Sequence, residues 1–108
     1  MTIQFNLPRD HVKEWVLTYV MNKLMTFHQD KPISRAEVNL KDEPEGEKHC
    51  DINLTIPGDS LFASQHASSY EEACLHALNM IEQRLIQAGH SRFPLIRKFH
   101  AWRIKKFA

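Results

Sequence analysis

The chain has 108 residues, 43% hydrophobic and 25% charged, with a formal net charge of +1. That is the size and make-up of one globular domain, able to bury about two thirds of its unfolded surface, and it excludes disorder along the whole length. No apolar run approaches the roughly 18 residues of a membrane span, MTIQFNLPRD lacks the pattern of a signal peptide, and Cys50 and Cys74 are too few for a disulfide scaffold, so the expected address is a reducing cytoplasm with no membrane partner.

Residues 2–7 alternate, with Ile3, Phe5 and Leu7 on one side and Thr2, Gln4 and Asn6 on the other. Period two with one apolar face predicts a half-buried strand. Pro8 ends it, and Asp10 stands where a helix cap is wanted. Val12, Trp15, Val16, Tyr19, Val20, Leu24 and Phe27 then recur at three- and four-residue steps, which predicts a helix over 11–28 with one broad apolar stripe. Lys23 sits at the edge of that stripe, where its stem can pack and its ammonium reach water. Pro32 prevents continuation.

Three strands are predicted next. Ala36, Val38 and Leu40 alternate with Arg35, Glu37, Asn39 and Lys41; Cys50, Ile52, Leu54 and Ile56 alternate with Asp51, Asn53 and Thr55. Between them DEPEGEK (42–48) reads as a polar loop. Pro57-Gly58 is a tight-turn signal, so the strand through Leu61, Ala63, Gln65 and Ala67 is expected to form an antiparallel hairpin with the one before it. Ser69-Tyr70-Glu71-Glu72 fits a capping box. Tyr70, Ala73, Cys74, Ala77, Leu78, Ile81 and Leu85 continue as a helical stripe, and Gly89 suits its stop. The predicted fold is α+β, in the order β-α-β-β-β-α, with two helices on one face of a four-stranded sheet. Residues 1–90 form the domain and residues 91–108 a basic tail or short third helix beginning at Pro94.

Charge is unevenly spread. Residues 92–108 carry Arg92, Arg97, Lys98, Arg103, Lys105 and Lys106 and no acid, for +6, while residues 1–91 sum to −5. Phe93, Phe99, Trp102 and Phe107 interleave with these cations. Basic side chains neutralise phosphates and rings stack on unpaired bases, so the tail suits RNA; the same pattern suits an anionic membrane surface or docking on protein, or aromatics packed back on the domain with the charges in water.

Seven histidines raise the question of metal or acid–base chemistry. No pair has the i, i+4 spacing of a helical metal site, there is no CxxC, and the Gly-rich phosphate loop and the nucleophile elbow are absent. The two cysteines fall on inward series and read as small buried hydrophobes; the acidic 42–47 stretch reads as a solvated turn. No catalytic residue, metal or cofactor is expected.

The helix HVKEWVLTYVMNKL, the strands AEVNLK and CDINLTI, the turn and strand PGDSLFAS, and the helix SSYEEACLHALNMIEQRL together resemble the ribosome-hibernation factors, also called the sigma-54-modulation or ribosome-associated-inhibitor family. The likeness rests on Leu40-Lys41 ending the second strand, Gly58 followed by Leu61 and Ala63, and Ala73 with Gln83-Arg84-Leu85 in the last helix. The resemblance implies a fold like a double-stranded-RNA-binding domain with an extra first strand. It implies a non-enzymatic protein that occupies the RNA channel of the small ribosomal subunit and silences translation in starved or stationary cells. The resemblance puts basic residues of the two helices on ribosomal RNA; the side chains expected on phosphates are Lys13, Lys23, Lys41 and Arg84, with Arg92, Arg97, Lys98, Arg103, Lys105 and Lys106 of the tail. Tyr19, Asn22, Met80 and Gln83 stand where that family carries bases, and the Pro8-Arg9-Asp10 connection replaces its Gly-containing turn, so the helices should hold RNA less tightly. The competing expectations are an interaction module of the same fold that self-associates or docks through its tail and, behind it, a small enzyme or metal protein using the histidines.

Overall fold

The computed structural model describes residues 1–87. Its elements run β1 (Thr2–Asn6), α1 (Glu14–Asp30), β2 (Arg35–Asp42), β3 (Lys48–Ile56), β4 (Asp59–Ala67) and α2 (Tyr70–Gln87). This is the α+β order expected from the sequence. Gly89, the third helix and the whole basic tail lie outside the described residues.

The sheet order is β1-β2-β3-β4. β1 is parallel to β2, with Ile3 beside Ala36 and Phe5 beside Val38; the crossover that parallel pairing demands is α1. The other two pairings are antiparallel hairpins. In the β3–β4 turn, Pro57 presets the first central residue and Gly58 takes φ +78° at the second, the positive angle a type II turn needs. In the β2–β3 turn the Gly46 N–H donates to the Glu43 carbonyl at 2.9 Å, with Gly46 at φ +88°.

Alternation decides which face is covered. Ala36, Val38 and Leu40 of β2 and Cys50, Ile52, Leu54 and Ile56 of β3 are buried, and their neighbours in sequence point the other way. α2 lies over β3 and β4, and α1 packs beside α2. Val16, Val20, Leu24 and Phe27 meet Ala73, Cys74, Ala77, Leu78 and Ile81 in a single core. Ile3 and Phe5 are half-buried at its margin.

At the start of α2 the Ser69 half of the predicted capping box forms: its hydroxyl accepts the Glu72 N–H at 3.2 Å. α1 does not begin as its sequence predicts. Asp10 is not its cap; Lys13 holds that position without a side-chain bond, and helix begins at Glu14. The Asp10 carboxylate is drawn instead to Tyr70 and Lys48, two stronger partners supplied by distant parts of the chain. The α1 stripe is also narrower than expected. Trp15 is 57% exposed and Tyr19 37%, because α1 touches its neighbours along only one side. Leu7 lies past the end of β1 and is likewise exposed. The helix stops where Lys31 turns extended before Pro32, and His28 Nδ1 accepts the Ile33 N–H at 2.8 Å. One of the seven histidines is thereby a structural acceptor.

Candidate nucleic-acid interface

The end of the sheet where β1 and β2 finish is fastened by four polar side chains. Lys48 Nζ lies 2.7 Å from Asp42 Oδ1 and 3.0 Å from Asp10 Oδ2, and 5.2 Å from the centre of the Tyr70 ring. The Tyr70 hydroxyl donates to Asp10 Oδ1 at 2.6 Å. The Tyr70 hydroxyl first, and Lys48 second, hold the Asp10 carboxyl below its ordinary pKa. Asp42 and then Asp10 raise that of the Lys48 ammonium. Burial first, then the bond to Asp10, push the Tyr70 phenol up. The Lys48 ammonium is therefore engaged within the fold. Beside this cluster opens a cleft of about 450 Å³ lined by residues 6–10 and 39–42, with Arg9 and Lys41 among them.

The predicted RNA-contacting cations of the described region do not converge on one patch. Lys41, next to last in β2, lies on the open face of the sheet, 63% exposed at the side chain and 3.9 Å from Asp51. Lys13 stands at the opposite layer, before α1, 62% exposed and 3.8 Å from Glu71. Lys23 is half-buried in the middle of α1. Arg84 lies in the last turn of α2 with a guanidinium nitrogen 3.7 Å from the Met80 sulfur. Loose, exposed ion pairs such as those of Lys13 and Lys41 cost little to open, so both ammonium groups are available to a phosphate. Residues 1–87 carry eight Lys and Arg against thirteen Asp and Glu, so the body's overall field opposes a polyanion. Arg92, Arg97, Lys98, Arg103, Lys105 and Lys106 lie outside the described residues.

The open face of the sheet is a polar lattice. Arg35 donates to the Gln4 side-chain Oε1 at 2.6 Å, and the Asn6 side-chain amide reaches Glu37 and Asn39. Toward β4 the rings of His49 and His66 stack with centroids 6.0 Å apart and planes 16° from parallel. His49 Nε2 lies 2.6 Å from Asp51 and 2.8 Å from the Ser64 hydroxyl, and His66 Nδ1 lies 2.6 Å from Glu47. The acidic turn is largely exposed, as its sequence reads, and Asp42, Glu43 and Glu47 in it also lie beside Lys48, His49 and His66. The histidine pair was missed in the sequence but was within reach: the two-residue Pro57-Gly58 turn pairs Ile56 with Asp59, and counting back along the hairpin places His49 opposite His66. Among the described residues, no group of three or more His, Cys, Asp or Glu is placed to hold a metal ion.

Cys50 and Cys74 are both buried and unbridged. The Cys74 thiol beside it, and then burial, push the Cys50 thiol well above the ordinary range. The two sulfurs form part of the contact between β3 and α2, as their inward positions predict. Among the described residues, no helix is long and apolar enough to cross a membrane.

A mixed four-stranded sheet, with β1 parallel to β2 through a helical crossover and both helices on one face, defines a small α+β fold whose other face is open and polar. Solved proteins share it. A ribosomal subunit interface protein from Coxiella burnetii matches with a TM-score of 0.69 at 18% identity, over 82% of this chain and 98% of that one. The N-terminal domain of Protein Y from Thermus thermophilus matches with a TM-score of 0.66 at 18% identity, over 79% and 96%. No family model and no curated protein matches the sequence. At this identity the likeness is one of fold, and it agrees with the fold implied by the hibernation-factor resemblance of the sequence.

Proposed function

We propose that this protein is a non-enzymatic, cytoplasmic ribosome-associated factor that binds the RNA channel of the small subunit and blocks translation by occupancy in starved or stationary cells. The observation carrying this reading is the fold shared over almost the full length of a protein described as a ribosomal subunit interface protein. The mechanism is steric and electrostatic. A rigid domain fills space that messenger and transfer RNA need, while Lys13, Lys41, Lys23 and Arg84 contact phosphates at its periphery. Because the body is net acidic, most of the attraction comes from Arg92, Arg97, Lys98, Arg103, Lys105 and Lys106.

The test is co-sedimentation with small subunits in a sucrose gradient of stationary-phase lysate. Reversing Arg97, Lys98, Arg103, Lys105 and Lys106 to Glu abolishes co-sedimentation under this reading; unchanged co-sedimentation rules out the tail as the RNA contact. The acidic body favours one competing reading, a protein-interaction module of the same fold. Salt separates the two: RNA binding weakens steeply between low and physiological salt, whereas an aromatic-driven protein contact changes little.

A further inference from the structure

Between α1 and α2 the surface opens into an apolar groove of about 200 Å³. Its walls are Trp15, Tyr19 and Leu75, which are 57%, 37% and 40% exposed. Its floor is the buried pair Val16 and Cys74, and Glu71 and Glu72 stand at its rim. Two large aromatics and a leucine gathered on one surface are an apolar patch of the sort that serves an interaction.

Three observations name the occupant. The first is charge: the rim is acidic and residues 1–87 sum to −5, whereas residues 92–108 hold six cations and no acid. The second is reach. α2 ends at Gln87, so Leu75 lies on the order of 18 Å back along the helix. Residues 88–94, if extended, span roughly 23 Å, enough to bring Leu95 over the groove. The third is chemistry. Leu95, Phe99 and Trp102 recur at helical steps among Arg97, Lys98 and Arg103, so one segment offers apolar anchors to the Trp15–Tyr19–Leu75 walls and cations to the Glu71–Glu72 rim.

We propose that the α1–α2 groove is the docking site of the chain's own C-terminal segment, with Leu95, Phe99 and Trp102 seated against Trp15, Tyr19 and Leu75 and the intervening cations facing Glu71 and Glu72. This goes beyond the ribosome reading and stands without it. The tether makes the contact intramolecular, with an effective concentration on the order of millimolar, so modest contact energy suffices. A polyanion that captures the tail cations competes with the groove for the same segment.

The experiment uses the full chain. W102F leaves Trp15 as the sole tryptophan. Its quenching by acrylamide is compared with that of W102F carrying Leu95→Asp and Phe99→Asp, and separately with W102F carrying Leu75→Asp. Far-UV circular dichroism and thermal midpoints confirm that each variant is folded. Docking predicts a quenching constant about twofold higher once either side of the contact is lost, because the ring then regains solvent on its open face. Amide shifts between the parent and the Leu95→Asp, Phe99→Asp variant are expected at Trp15, Val16, Tyr19 and residues 71–75. Equal quenching in all three proteins with no shifts at these positions overturns the proposal. Protection of Trp15 that appears only as concentration rises, together with a doubled mass in sedimentation equilibrium, places the tail on a second copy and overturns the intramolecular contact.

Discussion

Tyr70, the first residue of α2, donates its hydroxyl to Asp10 Oδ1 at 2.6 Å and so ties that helix to the segment leading into α1. The Asp10 carboxyl has its pKa lowered by this bond and by Lys48, and the Tyr70 phenol has its pKa raised by burial and by Asp10. A depressed acid contributes stability above its unfolded pKa and loses it as pH falls through the folded value. A raised phenol contributes stability below its unfolded pKa and loses it as pH rises above that. The contact should therefore stabilise the fold between the ordinary values of 3.8 for Asp and 10.0 for Tyr. Tyr70→Phe is expected to lower the urea midpoint at pH 7 with an unchanged slope. The gap between variant and parent should narrow below about pH 4 and above about pH 10. A gap independent of pH would show that the hydroxyl is not what matters.

Cys50 and Cys74 face each other inside the β3–α2 contact. Neither thiol should react with Ellman's reagent while the protein is folded, and both should react at once in denaturant. Reaction of either thiol in the native state at the rate of a free cysteine would contradict the burial.

Leu24 is fully buried between α1 and the rest of the core. Leu24→Ala should cost about 2–5 kcal/mol, read from urea unfolding. The neighbouring Met25 is 46% exposed, and Met25→Ala should stay within about 0.5 kcal/mol of the parent. Comparable losses at both positions would mean that the wrong face of α1 has been assigned to the core.

Lys13 approaches Glu71 only to 3.8 Å, with most of its side chain in water. Lys13→Ala should change folding stability by less than about 1 kcal/mol. If Lys13 contacts phosphate, the same substitution should lessen the salt dependence of ribosome binding by roughly one counterion. No change in that slope would remove Lys13 from the interface.

Gly58 holds φ +78° in a turn with open space around its missing side chain. Gly58→Ala therefore meets no steric neighbour and should cost only the backbone strain, about 1 kcal/mol. A much larger loss would point to register slippage in the β3–β4 hairpin, which strand-specific hydrogen exchange would reveal.

What the sequence disclosed depended on how local the deciding interaction was. β2 and β3 were legible because each alternates cleanly between one dry and one wet face. α2 was legible because Ser69 satisfies its own helix three residues away. Asp10 deceived because its partners, Lys48 and Tyr70, come from far along the chain and outcompete a local cap. Trp15 and Tyr19 fit the helical period of α1, yet period alone does not tell how wide a strip the neighbours cover. The parallel pairing of β1 with β2 is likewise a tertiary choice that alternation leaves open. The cations assigned to RNA were visible as residue types, but their scatter over two faces follows from the topology. The His49–His66 stack follows from turn register, which spacing criteria for metal sites do not test.

The register that sets Thr2 beside Arg35 pairs strands more than thirty residues apart, and such a contact is expected to close late. The β2–β3–β4 meander closes through short turns, whereas β1 must wait for α1 to form and bring its ends together, a long loop with a larger entropy to overcome. The strand made before the rest of the sheet is thus expected to be zipped in last. In the finished protein its amides should be the earliest of the sheet to trade hydrogen for deuterium.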